Sequence, residues 1–183
     1  LPVQSGSDKI LNLMNRKHKI SKYFEIFDKL KKINPKIEFS SDFIIGYPGE
    51  EEKDFKNTYD LINKLKFIHS YSFIFNPRPG TVAEKLELID KKISMERLEK
   101  VQIKLLENQM LMNNSLKNKT INVLVENLTE DKTQLFGRSE HMTSVIFNGN
   151  HEDIGKIVSV KINKINRSTL FGEQIINSNQ KVA

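Results

Sequence analysis

Three side chains near the start of the chain could bind a polar ligand: Gln4, Arg16 and Asp42. The Gln4 amide can donate hydrogen bonds to hydroxyls and accept hydrogen bonds from them. The Arg16 guanidinium matches a carboxylate bidentately, although a cation at the end of a helix is also favourable without any ligand. Asp42 lies in an apolar stretch, where a carboxylate needs donors. Ligand hydroxyls or a salt bridge to a neighbouring element would supply them.

Two glycine-containing loops follow apolar stretches and could approach the same ligand. Residues 46–49 (GYPG) predict a sharp bend, and glycine lets the backbone come close to a ligand. A tight turn without a ligand is the alternative. Residues 78–81 (RPGT) form a stiff, basic loop that could guide a substrate or its phosphate, unless Arg78 is an ordinary surface arginine. The Ser5 hydroxyl is a weaker candidate, because capping of the next helix explains at least one of the two nearby serines, Ser5 and Ser7.

The composition excludes several kinds of site. The sequence has no cysteine, so this chain forms no disulfide and supplies no thiolate to zinc or to an iron–sulfur cluster. Its four histidines lack the spacing of metal ligands. A net charge of +6 and a pI of about 9.3 suit a nucleic-acid partner, although many basic proteins have none. We expect no membrane span, no secretory leader and a cytoplasmic location, because no long apolar run is present.

The spacing of apolar residues changes along the chain and divides it into two regions, 1–116 and 117–183. In the first region, strand-like stretches at 37–46 and 70–76 alternate with helical stripes, which indicates βαβ units and a parallel sheet. One helix should begin after Ser7. A second should begin near Ser21 and end before Pro35. One face of this helix should carry Phe24, Phe27, Leu30 and Ile33.

A long helix and a strand-rich tail are predicted for the rest of the chain. The helix should run from about residue 95 to 116, with Ser94 as its cap. In the tail, apolar residues alternate with a period of two in five stretches, which predicts a small antiparallel barrel whose end frays from about residue 178. The five stretches are 120–126, 133–138, 143–148, 156–163 and 169–173.

The order of these motifs resembles the radical-SAM methylthiotransferases, and the spelling of residues 40–43 and 70–75 looks closest to their MiaB-type branch. Residues 4–8 (QSGSD) with 14–16 (MNR), residues 42–50 (DFIIGYPGE), and residues 70–75 (SYSFIF) with 78–81 (RPGT) resemble that family's fourth, fifth and sixth strands. The tail resembles a TRAM domain in its segments 123–126, 136–138, 145–147, 155–160 and 170–172. The chain would then be the C-terminal part of such an enzyme.

The resemblance implies an α/β + β fold. Residues 1–116 would contain the C-terminal half of a parallel (βα)6 partial barrel and a linker helix. Residues 117–183 would form a small antiparallel five-stranded TRAM β-barrel. Because half a barrel leaves the strand near residues 1–4 with an unpaired edge, we expect the first region to be marginally stable by itself.

The resemblance also implies ligands and the residues that contact them. The full-length family enzyme uses S-adenosylmethionine and two 4Fe-4S clusters, and this chain contains no cluster ligand, no catalytic residue and no metal site. Cofactor contacts would come from Gln4, Ser5, Arg16, Asp42, Gly46 and Pro48. Contacts to tRNA would come from Arg78, Thr81, Arg138, Lys156, Lys161 and Arg167. Phe136 and Phe147 could stack on bases, although core packing is the simpler interpretation of both.

The family activity implied by the resemblance is the insertion of a sulfur and a methyl group at carbon 2 of an isopentenylated adenosine beside the tRNA anticodon. Because the cluster cysteines are missing, we expect the chain to be inactive when it is alone. The alternative is a non-catalytic tRNA-binding module. Two further possibilities are a degraded gene product and a chain that complements a separately encoded N-terminal half.

Overall fold

The computed structural model of the protein describes residues 1–175; residues 176–183, which include the end expected to fray, lie outside the described residues. The chain divides into two compact units, Leu1–Asn108 and Gln109–Ala183. One long helix continues across the boundary between them. The limit placed at residues 116 and 117 remains a prediction.

The first unit alternates helices with short strands, as its apolar pattern predicts. Its elements are α1 (Asp8–Leu13), α2 (Ile20–Ile33), β1 (Asp42–Ile45), α3 (Glu52–Leu65), β2 (Tyr71–Ile74) and the start of α4 (Lys91–Ser115). Ser7 caps α1, and its hydroxyl accepts a hydrogen bond from the backbone N–H of Ile10. Asn15, in the left-handed conformation with φ of 57°, ends the same helix.

The sheet of this unit is parallel, which confirms the predicted fold class. Strands β1 and β2 pair in parallel from Asp42 opposite Tyr71 to Ile45 opposite Ile74. A parallel bridge adds Gln4 to the other edge of β1, opposite Phe43. Three parallel segments therefore lie side by side, in the order expected for consecutive strands of a partial barrel. Strand β1 is shorter than the predicted 37–46.

The helices cover one face of this sheet and enclose the core. The core contains Val3, Phe43, Ile45, Phe55 and Phe67, together with Ile62 and Val101 from the helices. Helix α2 contributes Tyr23 to this core, and Phe24, Phe27 and Leu30 pack beside it. Ile33 lies at the last turn of α2, where its side chain is 81% exposed.

Helix α4 begins earlier than its sequence predicts. The carboxylate of Asp90 accepts hydrogen bonds from the backbone N–H groups of Lys92 and Ile93, and so it caps the helix. Ser94, the predicted cap, lies inside the first turn and is 2% exposed. Both residue types cap helices well, and the sequence alone did not distinguish between them.

The second unit is a closed five-stranded barrel. Its strands are β3 (Thr120–Leu128), β4 (Leu135–Ser139), β5 (Ser144–Asn148), β6 (Ile157–Ile165) and β7 (Thr169–Gln174). They follow one another around the barrel in the order β3-β4-β5-β7-β6. All five predicted strands are present. The barrel is mixed rather than wholly antiparallel, since β5 and β7 pair in parallel. Parallel pairing follows from the chain order, because β6 intervenes between these two neighbours.

Two Phe-Gly dipeptides hold corresponding places in the barrel. Phe136-Gly137 on β4 lies opposite a register shift in β3, and Phe171-Gly172 on β7 lies opposite a register shift in β6. Each glycine is buried where a neighbouring strand crosses closely: a Cβ on Gly137 would lie 2.3 Å from the Leu124 carbonyl oxygen, and one on Gly172 would lie 2.4 Å from that of Lys161. Each phenylalanine is half-buried on the outer face.

Candidate cofactor and nucleic-acid sites

Gln4 lies at the edge of the parallel sheet in an uncommon backbone conformation. Its N–H donates to the Asp42 carbonyl oxygen at 3.1 Å, and its own carbonyl accepts from the Ile44 N–H at 2.9 Å. Its φ is 72°, which is uncommon for a residue other than glycine and is found often at functional sites. The residue is 8% exposed, yet its amide makes no hydrogen bond to the described residues. An amide without a partner in the protein is available to a ligand.

Asp42 lies on the sheet face that the helices leave uncovered. Because strand side chains alternate, Phe43 and Ile45 point into the core, and Asp42 and Ile44 lie on the opposite face with Tyr71 and Phe73 of β2. We call Asp42, Ile44, Tyr71 and Phe73 the open sheet face. The Asp42 carboxylate is half-buried and makes no hydrogen bond or ion pair within residues 1–175. The salt bridge considered as an alternative is therefore absent from the described part of the chain.

The Ser5 hydroxyl already has protein partners. It lies 3.2 Å from the Thr58 hydroxyl of α3 and accepts a hydrogen bond from the Ser7 N–H. The Ser7 hydroxyl in turn donates to Asp54 at 2.6 Å. These contacts fix the segment after Gln4 against α3. They give Ser5 a structural role whether or not a cofactor binds.

Asp54 is the centre of this network. Besides Ser7, its carboxylate accepts hydrogen bonds from Lys9 at 3.1 Å and from the Glu51 N–H at 3.0 Å. Burial alone would raise the pKa of Asp54, but the hydrogen bonds from Ser7, Glu51 and Lys9 outweigh it and hold the pKa below its ordinary value. The charged form of Asp54 therefore stabilises the junction of α1 and α3.

A buried ion pair holds the loop from Gly46 to Glu50. Arg97 of α4 donates to the Glu50 carboxylate at 2.9 Å and to the Glu50 carbonyl oxygen at 3.1 Å. The carboxylate also accepts the Gly46 N–H, with both oxygens 3.3 Å away. Burial raises the pKa of Glu50 even though Arg97 opposes the shift. Gly46 and Pro48 are both buried, and the Gly46 N–H is occupied within the protein.

Arg97 is a residue that the sequence interpretation missed. It lies 47 residues from Glu50, in a helix whose polar residues look like an ordinary solvated face. The signal that could have found it is the acidic Glu50 at the end of the GYPGE motif. A carboxylate that follows a buried turn needs a cationic partner, and α4 supplies one.

Arg16 and the loop at 78–81 are exposed. The Arg16 N–H bonds the Leu11 carbonyl oxygen at the end of α1, and its guanidinium forms no ion pair within the described residues. In the loop, the hydroxyl of Thr81 donates to the Arg78 carbonyl oxygen at 2.7 Å, which closes a tight turn. The Arg78 guanidinium also forms no ion pair in the described part of the chain. Both cations are therefore available to an anionic ligand.

The structure brings some predicted cofactor residues together and separates others. Gln4 and Asp42 are neighbours across one hydrogen bond, and Gly46 and Pro48 share one turn. Asp42 begins β1, whereas Gly46 follows its end, about 13 Å further along the strand at the usual rise per residue. The predicted contacts thus extend along the strand instead of meeting at one level. Their role as cofactor contacts remains a prediction.

The four predicted tRNA contacts of the second unit differ in their surroundings. Arg138 on β4 forms an ion pair with Glu126 at 3.3 Å, and Lys156 forms one with Asp153 at 3.2 Å. Lys161 on β6 and Arg167 in the loop after β6 are exposed and form no ion pair within the described residues. Phe147 is fully buried in the barrel core. Phe136 is half-buried on the outer face, and so the two phenylalanines have different roles.

Comparison with known proteins identifies both parts of the chain. Residues 1–62 match the model of the Radical SAM superfamily, and residues 114–175 match that of the TRAM domain. The chain is 63% identical, over all of its 183 residues, to a tRNA-2-methylthio-N(6)-dimethylallyladenosine synthase of Pelagibacter ubique, of which it covers 41%. It is 43% identical over 175 residues to the synthase of the same description from Wolbachia pipientis wMel, of which it covers 40%.

The chain is similar to part of a tRNA-2-methylthio-N(6)-dimethylallyladenosine synthase, with a Radical SAM match at its start and a TRAM match in its barrel. It spans about two fifths of the length of the curated relatives it matches. The recognition made from the three motifs is thereby confirmed, and so is the assignment of the barrel to the TRAM domain. We refer below to the radical-SAM segment (residues 1–62) and to the TRAM domain (residues 114–175).

The metal-ligating side chains present in the sequence determine which of the family's cofactors this chain can hold. Iron–sulfur clusters are held by cysteine thiolates, and the sequence has no cysteine. Within residues 1–175, no group of three or more histidine and carboxylate side chains is placed to hold a metal ion. The residues present therefore do not fit a cluster. No helix in the same range has the length and apolar character needed to cross a membrane.

Proposed function

We propose that this chain supplies cofactor- and tRNA-contacting surfaces to an enzyme that methylthiolates carbon 2 of N6-isopentenyladenosine beside the tRNA anticodon. The observation that carries the proposal is the 63% identity, over the whole chain, with a synthase of that description. Because the cluster cysteines are absent, the chain alone is inactive. We propose that it acts in the cytoplasm, where tRNA is modified, and that the remaining part of the enzyme can be a separately encoded N-terminal half.

The contacts that we propose for S-adenosylmethionine are Gln4, Ser5, Arg16, Asp42, Gly46 and Pro48. Support comes from polar groups without partners: the backbones of Gln4 and Asp42 are hydrogen-bonded to each other, and the Gln4 amide and the Asp42 carboxylate make no hydrogen bond among the described residues. They suit ribose hydroxyls, which donate to a carboxylate and both donate to and accept from an amide. The free Arg16 guanidinium suits the methionine carboxylate. Ser5, Gly46 and Pro48 hold the neighbouring backbone in place.

For tRNA, we propose contacts at Arg78 and Thr81 in the first unit and at Arg138, Lys156, Lys161 and Arg167 in the TRAM domain. The exposed Arg78, Lys161 and Arg167 support this proposal most directly, since they have no ion-pair partner in the described part of the chain. Lys156 must exchange its contact with Asp153 for a phosphate.

Calorimetric titration of the chain with S-adenosylmethionine tests the cofactor half of the proposal. We expect saturable binding that weakens about tenfold or more in Asp42→Asn, because two charge-assisted hydrogen bonds are lost. Asp28→Asn, which changes an exposed carboxylate on α2, should bind as the unchanged chain does. Equal affinities in all three proteins would contradict the assignment of Asp42.

A non-catalytic tRNA-binding module is the second candidate, and the exposed cations of the TRAM domain favour it. That candidate predicts salt-dependent tRNA binding and no affinity for S-adenosylmethionine. To separate the enzyme from the binding module, the chain is mixed with the N-terminal part of a relative and methylthiolation of tRNA is measured. Product formation supports the enzyme, whereas tRNA binding without cofactor binding supports the module.

A further inference from the structure

The outer face of the TRAM domain carries an aromatic row that crosses four strands. Phe136 of β4 pairs with Ile146 of β5, Ile146 pairs with Phe171 of β7, and Phe171 pairs with Lys164 of β6. Paired residues point to the same side of a sheet, so these four side chains follow one another along the surface. We call Phe136, Ile146, Phe171 and Lys164 the aromatic row.

The barrel does not need these rings to fill its interior. The core is formed by inward residues of the same strands, such as Val145, Phe147 and Leu170, all of which are fully buried. Phe136 and Phe171 are half-buried on the opposite face. Each precedes a buried glycine and lies opposite a register shift, and this arrangement occurs at both sites. Because both rings lie outside the core and are only half-buried, part of each ring is available to a ligand.

A cation lies over each ring. The Arg138 guanidinium carbon is 5.7 Å from the centroid of Phe136, and the Lys164 ammonium is 5.6 Å from the centroid of Phe171. Lys164 forms no ion pair within the described residues, and the Arg138 guanidinium pairs with Glu126 and donates to the Met142 carbonyl oxygen at 3.3 Å. Each ring is therefore adjacent to a charge that can meet a phosphate.

The charges of the barrel are divided between its two ends. One end is formed by the close of β3, β5 and β7 and the start of β4 and β6; the other is formed by the opposite strand ends. At the first end the acidic residues outnumber Lys132 and Lys156, and they are Glu130, Asp131, Glu152 and Asp153. At the second end the cations outnumber Glu140, and they are Lys117, Lys119, Arg138, Lys164 and Arg167. Phe136 and Ile146 line a hollow together with Glu126, Glu130 and Asp131, so the attraction for a polyanion is strongest at the Phe171–Lys164 part of the row.

We infer that the outer face of the TRAM domain binds unpaired RNA nucleotides, with bases stacked on Phe136 and Phe171 and phosphates at Arg138 and Lys164. The two rings are two strands apart, which is about 10 Å at the usual strand spacing. Consecutive unstacked nucleotides of one strand can span that gap. A duplex cannot use the rings, because its base faces are already stacked within the helix. The inference rests on the proposed function for its ligand class, RNA.

Fluorescence anisotropy with a short labelled single-stranded RNA and the full chain tests this inference. We expect Phe171→Leu and Phe136→Leu, which keep an apolar side chain but remove the ring, to weaken binding about fivefold to a hundredfold each. Phe171→Tyr, which keeps the ring, should bind as the unchanged chain does. Lys164→Ala should reduce the salt dependence by about 0.7 in log–log slope, the value for one phosphate on a single strand.

Two matched variants at the acidic end serve as controls. Ile157→Ala removes an outer-face apolar side chain that is 70% exposed, and Lys132→Ala removes a lysine. Both should bind the RNA with unchanged affinity. A thermal melt followed by circular dichroism confirms that each variant is folded.

The possible outcomes separate the inference from the proposed function. If the leucine variants bind as tightly as the unchanged chain, or if duplex RNA competes as well as single-stranded RNA, the stacking inference is wrong while RNA binding stands. If the unchanged chain binds no RNA, the tRNA part of the proposed function fails together with the inference. Loss of binding in the leucine variants, with retention in Phe171→Tyr and in both controls, supports the inference.

Discussion

The two units of the chain differ in whether the edges of their sheets are hydrogen-bonded and whether both sheet faces are covered. In the TRAM domain every strand is bonded on both sides, so the barrel has no free edge. In the first unit, β1 and β2 and the Gln4 bridge form an open sheet, and helices cover only one of its faces. Tyr71 and Phe73 on the open sheet face are 66% and 55% exposed. The unsatisfied groups of the candidate cofactor site, Gln4 and Asp42, lie in this open sheet.

This difference between a closed barrel and an open sheet indicates where each unit can bind a ligand. A closed barrel uses its interior for side chains, so a ligand must bind its outer face. An open parallel sheet keeps polar groups that have no partner within the unit, so a ligand or a further protein element must satisfy them. Stability and function therefore depend on different residues in the two units, and variants in one unit should leave the other intact.

The largest effect is expected from Arg97→Met in the first unit. It leaves the Glu50 carboxylate buried without its cation, which costs about 3–5 kcal/mol. Glu50 already has a raised pKa because of burial, and removal of Arg97 raises it further. A group with a raised folded-state pKa loses stability as pH rises through that pKa, so the defect should grow from acidic to neutral pH. Urea unfolding with hydrogen exchange measures the loss for each unit.

The double variant Glu50→Gln, Arg97→Met is the control for this prediction. It removes both charges and should recover most of the lost stability. Equal loss of exchange protection in peptides from 42–65 and from 120–175 would contradict the independence of the two units. A defect of constant size across the pH range would contradict the part assigned to Glu50.

Alanine at two closely packed glycines should damage one unit each. A Cβ at Gly6 would lie 2.4 Å from the Asn57 carbonyl oxygen, and one at Gly137 would lie 2.3 Å from the Leu124 carbonyl oxygen. Because both neighbours are backbone atoms, each variant should lose about 2–3 kcal/mol. Hydrogen exchange should show Gly6→Ala loosening α3 and Gly137→Ala loosening the barrel. Gly80→Ala, which has open space around it and only backbone strain, should cost about 1 kcal/mol.

A smaller effect is expected from Asp54→Asn, at about 1–2 kcal/mol. The variant loses charge-assisted hydrogen bonds from Ser7 and Lys9. Because the pKa of Asp54 is lowered, its contribution is present above the ordinary carboxyl pKa and disappears as pH falls through the lowered value. Unfolding measured from neutral to acidic pH should therefore show the two proteins converge at low pH. Parallel curves would disprove the assignment, and Asp28→Asn is the exposed control.

The smallest effect on stability is expected on the open sheet face. Tyr71→Thr with Phe73→Thr removes two exposed rings but keeps strand propensity, so the free energy of unfolding should change by less than about 0.5 kcal/mol. Self-association should decrease, since exposed apolar surface is lost. Sedimentation velocity measures it. A large loss of stability would show that the rings pack within the unit.

Local patterns predicted most of the secondary structure. The stripe after Ser7, the stop before Pro35 and the alternation in the tail each depend on neighbouring residues, and α1, α2 and the five barrel strands appear where they were expected. The start of α4 was misplaced because two local signals compete there. Asp90 caps α4 although Ser94 fits the same role.

Contacts between residues far apart in the chain could not be predicted from a single sequence. The contact of Arg97 with Glu50 joins residues that are 47 positions apart, and no local period marks it. The parallel pairing of β5 with β7 and the division of charge between the barrel ends depend on strand order. At the candidate cofactor site, the sequence predicted Gln4 and Asp42 as contacts. In the structure neither side chain has a hydrogen-bond partner among the described residues. Their positions relative to Gly46 depend on strand register.

The parallel pairing of β5 and β7 also bears on how the protein is synthesised. Strand β7 supplies the neighbour for both β5 and β6, so the ring of hydrogen bonds cannot close before residues 169–174 have left the ribosome. Until then two strand edges remain available to any other chain. A nascent chain that stalls before Thr169 would therefore expose the apolar lining of an unfinished barrel to chaperones and proteases.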